Sequence, residues 1–149
     1  MEDTAAKPSL RFDGLDEVLG FHLRQAQGAI HRRLIAELAA FDLSQKQGAV
    51  LWLIGANPGV SQIDLSAALA MDRATTLGII DRLEARELVQ RQKSKTDRRR
   101  QELYLQPEGQ KMLVAMKAKV LAHEAAFAGR YTDTELATFI DFLRRAYEG

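Results

Sequence analysis

No cysteine occurs in this sequence, which excludes a disulfide framework, a thiolate metal site and a thiol redox sensor. No apolar run approaches the roughly 20 residues that cross a bilayer. No basic-then-apolar leader opens the N-terminus, so a cytoplasmic protein is expected. Histidine is scarce, and His22 and His31 are too far apart for a chelating i, i+4 pair; neither they nor His123 sits beside an acidic cluster, so no metal site is expected. No nucleophile has a plausible base near it, and there is no phosphate-cradling glycine run and no cofactor signature. The expectation is therefore no enzyme, no catalytic residue and no cofactor. Internal repeats and low-complexity tracts are absent as well.

What is present is ordinary globular material, 46% hydrophobic and 28% charged over 149 residues, enough for one domain of about 100–200 residues. The formal net charge of +1 conceals an uneven distribution. Arg91 to Arg100 holds six basic residues and one acid, a net +5, while residues 1–90 sum to −3 and residues 101–149 to −1. Such a loop, set on phosphates, releases counterions and makes binding strongly salt-dependent.

The stretch from Val60 to Pro107 reads as two short helices, a tight joint and a hairpin. Ser61, with Asp64 three residues on, caps the first helix, and Ile63, Leu65 and Leu69 are its expected buried side. After the break Leu69-Ala70-Met71, Asp72 caps a second helix from Arg73 to about Arg86. There Thr76, Ile79, Ile80 and Leu83 share an inward face. Arg73, Thr75, Leu77, Gly78 and Arg82 lie opposite, offering contacts to phosphate, base edges, a thymine methyl and a close backbone. Arg82 and Arg86 have an alternative as ion-pair partners of glutamates one turn away. Strands are expected over Leu88 to Arg91 and Gln101 to Leu105, with Gln92 to Arg100 as the loop between them.

On either side the apolar spacing is helical. Residues 1–12 are expected to form a flexible arm. From Asp13 to about Phe41 one long helix is expected. Ser44 and Gln47 form a capping-box pattern for a helix to about Gly55, and Asn57-Pro58-Gly59 breaks the chain. Pro107 opens another long amphipathic helix that Gly129 ends, and Thr132 with Glu135 caps a last one. Apolar stripes on long terminal helices suggest a second copy as their cover.

The run Asp97-Arg98-Arg99, followed by Leu103, Leu105, Pro107, Glu108 and Gly109, resembles the wing signature of the MarR family of bacterial transcription regulators. Asp72-Arg73, Asp81-Arg82-Leu83-Glu84 and Leu88-Val89 are similar to that family's recognition helix and its exit. The resemblance implies a mainly α fold with a small β-hairpin wing (α+β): a winged helix-turn-helix lobe, 42–106, flanked by dimerisation helices at 13–41 and 107–149 in a single domain, 13–149. It implies a homodimer on double-stranded DNA at a palindromic operator, and a repressor released by a small aromatic or phenolic carboxylate or its coenzyme A thioester. Expected DNA-contacting residues are Ser61, Gln62, Arg73, Thr75, Thr76, Leu77, Arg82, Lys95, Asp97, Arg98 and Arg99, with Arg99 entering the minor groove and Asp97 holding it. Expected effector-binding residues are Phe21, His22, Arg24, His31 and Trp52, although Phe21 and Trp52 have a core reading. The absence of cysteine excludes the family's peroxide-sensing chemistry. Three departures stand out: Leu77-Gly78 where many members have Thr and Arg, Glu87 where the helix usually ends in Gly, and Gln106 where the wing usually ends in Thr. The first makes an alternative thinkable, a winged-helix protein-interaction module without DNA binding.

Overall fold

The computed structural model describes residues 9–149, so most of the arm expected at 1–12 lies outside the described residues. The described chain forms a 3-10 turn at Leu15–Glu17, then α1 (Leu19–Ala39), α2 (Gln45–Ala56), α3 (Gln62–Ala68), α4 (Arg73–Ala85), β1 (Val89–Lys93), β2 (Gln101–Leu105), α5 (Pro107–Ala128) and α6 (Asp133–Glu148). It divides into two compact units, the first ending at Arg33 and the second running from Leu34 to Gly149.

In the first unit the helix expected from Asp13 begins only at Leu19. Asp13 and Gly14 both have positive φ (52° and 89°), which makes a turn, and extended Val18 separates the 3-10 turn from α1. The apolar spacing runs through this interruption because spacing reports which side faces apolar surroundings, not whether the backbone is continuous. His22 Nε2 donates to the Asp16 carbonyl at 2.5 Å, and Phe12 meets Phe21 edge to face at 5.9 Å.

The second unit holds the core. Val50, Leu51 and Ile54 of α2, Leu65 of α3, Ile80 and Leu83 of α4, Val89 of β1 and Leu103 of β2 are buried together with Leu113 and Met116 of α5. Each helix start expected from a cap is made by that cap. Ser44 and Gln47 exchange bonds at α2, Ser61 Oγ accepts from Asp64 N–H at α3, Asp72 accepts from Thr75 N–H at α4, and Thr132 and Glu135 exchange bonds at α6.

Three helix ends share one device. Leu43, Met71 and Leu88 N–H groups reach back to the carbonyls of Leu38, Ser66 and Leu83, with Asp42, Ala70 and Glu87 in the left-handed region at φ 51°, 49° and 58°. This is the Schellman geometry, which glycine fits best; none of the three is glycine. Hydrogen bonding to the three orphan carbonyls, together with the turn's fixed place between packed elements, holds residues that would otherwise avoid this conformation.

The hairpin is antiparallel, with Val89 opposite Leu105 and Lys93 opposite Gln101. β1 is two residues longer at its far end than expected and starts one later, which shortens the loop to residues 94–100. On its other edge β2 bridges Val60 through Leu103, so β2 is the central strand. Gln106, in place of the usual threonine, caps α5 without its side chain, which instead donates to the Val89 carbonyl at 3.2 Å. The glycine of the Pro-Glu-Gly run has a steric reason: a Cβ on Gly109 would lie 2.0 Å from the Leu88 carbonyl oxygen.

Candidate nucleic-acid interface

α3 and α4 cross as the helix-turn-helix, and α4 fixes which side chains face outward. Thr76 is fully buried, its hydroxyl bonded to Ser66 Oγ and to the Asp72 carbonyl. Its place among the expected DNA contacts is therefore corrected: it locks α3 to α4. Ser61, 7% exposed, is likewise occupied in capping α3. Ile63 corrects a different expectation, since it is 77% exposed instead of buried; on the first turn of α3 it points away from the Leu65 side.

Arg73, Ala74, Gly78, Asp81, Arg82 and Ala85 are the exposed residues of α4, with Thr75 and Leu77 half-buried. The centre of this outward face is made of small residues, and a Cβ on Gly78 would meet nothing within 4 Å. Thr75 donates its hydroxyl to Asp72 Oδ2 at 3.0 Å. Both Thr75 bonds, backbone first, hold the Asp72 carboxyl below its ordinary pKa. Gln62 reaches the Arg73 carbonyl through Nε2 at 3.4 Å. Arg86, for which ion pairing with glutamates was the alternative, instead donates to the Asp42 and Phe41 carbonyls at 2.7 and 2.9 Å, tying α4 to the α1–α2 turn. Arg82 lines a shallow groove there with Asp42 and Gln47.

The wing is ordered partly by side chains to which the sequence assigned no role, Ser94 and Arg91. Buried Ser94 accepts from Thr96 and Asp97 N–H groups, and Arg100 N–H donates to the Asp97 carbonyl. Asp97 Oδ1 accepts from the Arg99 N–H at 3.0 Å, a backbone contact within the loop. The guanidinium of Arg91 spans Asp81 at 2.5 Å and Glu84 at 2.8 Å, and Glu84 also accepts from Arg91 N–H at the outer edge of β1. Burial opposes the Arg91 charge, but the two carboxylates outweigh it and move the guanidinium's pKa upward. Arg100 pairs with Asp64 of α3 at 3.2 Å. Of six cations in this stretch, two are thus engaged within the fold, and Lys93, Lys95, Arg98 and Arg99 are left on the exposed surface. A residue seven to ten positions from its carboxylates could have been suspected from charge complementarity alone, but not assigned.

The residues expected at an effector are placed separately by the two units. In the first, half-buried Phe21 stands against His22 at 5.4 Å between ring centroids, Arg24 is exposed and His31 half-buried. In the second, Trp52 packs on the core, with Lys117 Nζ 5.1 Å from its ring centroid. Among the described residues, no group of three or more His, Asp or Glu could hold a metal ion, and no helix is long and apolar enough to cross a membrane.

The model of the MarR family matches residues 43–100. A Thauera aromatica protein named as a candidate transcriptional regulator of the hcr operon is 34% identical over 130 residues, 87% of this chain and 78% of its own. The transcriptional repressor CouR, solved bound to a 23-mer DNA duplex, superposes with a TM-score of 0.86 at 29% identity, covering 92% of this chain and 97% of its own. CouR from Rhodococcus jostii RHA1, solved bound to p-coumaroyl-CoA, gives 0.80 at 25% identity over 89% and 93%. On the family match and the identity to a relative covered over most of its length, this chain belongs to the MarR family of transcription regulators.

Proposed function

We propose that the protein is a homodimeric, ligand-responsive repressor that sets α4 in the major groove of duplex DNA and the 94–100 loop in the adjacent minor groove. The observation that carries this reading is the cluster of exposed cations, Lys93, Lys95, Arg98 and Arg99, on a hairpin tied to α4 through Arg91. Arg99 is the minor-groove side chain, positioned through its backbone by Asp97, and Arg98 and Lys95 contact phosphates. On α4, Arg73 and Arg82 flank the small central face, and Thr75 and Leu77 border it; Gln62 approaches the backbone from α3. That CouR, similar over 92% of this chain, was solved bound to a DNA duplex supports duplex DNA as the partner.

The dimer rests on apolar surface. No residue of α6 is buried, and Val114, Leu121, Phe139, Ile140 and Phe142 are exposed on α5 and α6, large apolar side chains of the kind that a partner covers. A second copy covers them, and two-fold symmetry then spaces the recognition helices about one DNA turn, ~34 Å, apart on a palindromic site. The released state is stabilised by a small aromatic or phenolic carboxylate or its coenzyme A thioester. Phe21, His22, Arg24 and His31 of the first unit, and separately Trp52 of the second, remain the candidate effector residues, and the p-coumaroyl-CoA complex of CouR supports the class of ligand.

The test is fluorescence anisotropy against the DNA upstream of the protein's own gene and against a scrambled duplex, titrated across salt. One dimer per upstream duplex, weakening steeply with salt, is expected. No binding to either at low salt would remove the DNA reading and favour the protein-interaction module.

A further inference from the structure

We propose that Arg91 acts in DNA binding as a positioning residue, a strut that sets the wing against the recognition helix, and that it is not one of the phosphate ligands among which its charge would place it. The inference rests on the DNA-binding reading above. The hydrogen bonds of Arg91 carry it. The guanidinium divides between Asp81 on the outward side of α4 and Glu84 one turn along, and the Arg91 N–H donates to the same Glu84. The side chain is only 20% exposed, so the two carboxylates already take the directions from which a phosphate would approach. At the other end of the loop Arg100 makes a more exposed pair with Asp64, a kind of pair worth little by itself. Of the two charged attachments beside the loop, the less exposed is therefore the one on the β1 side, and Arg99, eight residues beyond Arg91 along the hairpin, takes its direction relative to α4 from that attachment.

A strut and a phosphate ligand respond oppositely to removal of the carboxylates. Asp81→Asn with Glu84→Gln takes two negative charges from the DNA-facing side and frees a guanidinium. If Arg91 were a phosphate ligand, binding would tighten. As a strut it loses its anchors, the wing swings, and binding weakens despite the more favourable net charge.

The experiment measures Kd by anisotropy across salt for the full-length protein, Arg91→Met, the Asp81→Asn/Glu84→Gln pair and Arg99→Ala, with thermal melting to confirm folding. Arg91→Met and the carboxylate pair are each expected to weaken binding about tenfold, the scale of a coupled ion pair. Their dependence of log K on log salt should stay parallel to that of the unaltered protein. Arg99→Ala, by contrast, removes a cation that displaces counterions from the minor groove, and should flatten that dependence by about 0.9 for the charge no longer neutralised. Tighter or unchanged binding by the carboxylate pair, or a flattened slope for Arg91→Met equal to that of Arg99→Ala, overturns the proposal. Failure of the unaltered protein to bind any duplex would instead overturn the DNA reading, and this role with it.

Discussion

Glu87 offers a direct measure of what a helix end costs when its sequence disagrees with its geometry. It occupies the left-handed position of the α4 Schellman turn at φ 58°, its N–H bonded to the Glu84 carbonyl at 2.9 Å and the next N–H, from Leu88, to Leu83 at 3.0 Å. The side chain is exposed and so contributes little by packing. An L-residue in this region carries roughly 1–2 kcal/mol of steric cost. Glycine relieves that cost but loses about 0.4–1 kcal/mol through the greater freedom of the unfolded chain. Glu87→Gly is therefore expected to stabilise by about 0.5–1 kcal/mol, or some 1–4 °C in Tm for a chain of this size. Glu87→Ala should be nearly neutral because it keeps the Cβ, and Glu87→Val should destabilise because β-branching crowds the left-handed region further. Urea unfolding at fixed protein concentration, with unchanged m-values, is the assay, since dimerisation makes apparent stability concentration-dependent. A glycine variant no more stable than the alanine variant would refute the reasoning and place the stability of this turn in its neighbours.

Gly109→Ala is expected to destabilise by about 2–4 kcal/mol, as overpacking against backbone does, because the obstructing atom is the Leu88 carbonyl oxygen, which also accepts the Gln106 N–H; chemical denaturation reads it. Gly78→Ala should raise stability by about 0.8–1 kcal/mol, the helix-propensity difference, since the new methyl meets nothing within the protein, while weakening operator binding in anisotropy; unchanged affinity would mean that this face does not approach the groove closely. Asp72 has a folded pKa below its ordinary 3.8, mainly through the Thr75 backbone N–H, so its contribution is fully present above pH 3.8 and is lost as pH falls through the lower folded value. Stability measured against pH should accordingly lose part of its acid-side slope in Asp72→Asn, which keeps the cap and removes the titration.

The local parts of this fold were legible because their causes are local. Ser44, Ser61, Asp72 and Thr132 each begin a helix through bonds spanning three residues, a distance over which side-chain chemistry decides the outcome. The inward set Thr76, Ile79, Ile80 and Leu83 followed equally from spacing. Ile63 did not, because a single apolar residue in the first turn of a seven-residue helix can lie on either side, and the choice is made by where α3 meets its neighbours. The interruption before Leu19 was hidden since positive φ at Asp13 and Gly14 leaves the apolar rhythm intact. In the candidate site, the wing's location and charge were visible, yet the division of its cations was not. Arg91 and Arg98 are the same residue type in the same loop region, and only the fold puts Asp81 and Glu84 beside one of them.

That division bears on how a repressor of this form would be released. The outward face of α4 is built around Ala74, Gly78 and Ala85, so it presents few groups able to distinguish bases, and affinity falls to the flanking cations through counterion release. In the proposed binding mode, specificity then leans on Arg99 in the minor groove, where width and potential vary with sequence, and on the spacing of the two half-sites. Both demand that wing and recognition helix keep a fixed relation, which the Arg91 strut and the Thr76 lock between α3 and α4 supply. An effector acting inside such a lobe would have to break buried or charge-assisted contacts. One that alters the spacing of two lobes has only to bind the DNA-incompetent spacing better than the competent one; without that difference in affinity it shifts nothing. Variants that weaken the apolar surface of α5 and α6, such as Phe142→Ala, should therefore lower operator affinity through the dimer while leaving each lobe folded.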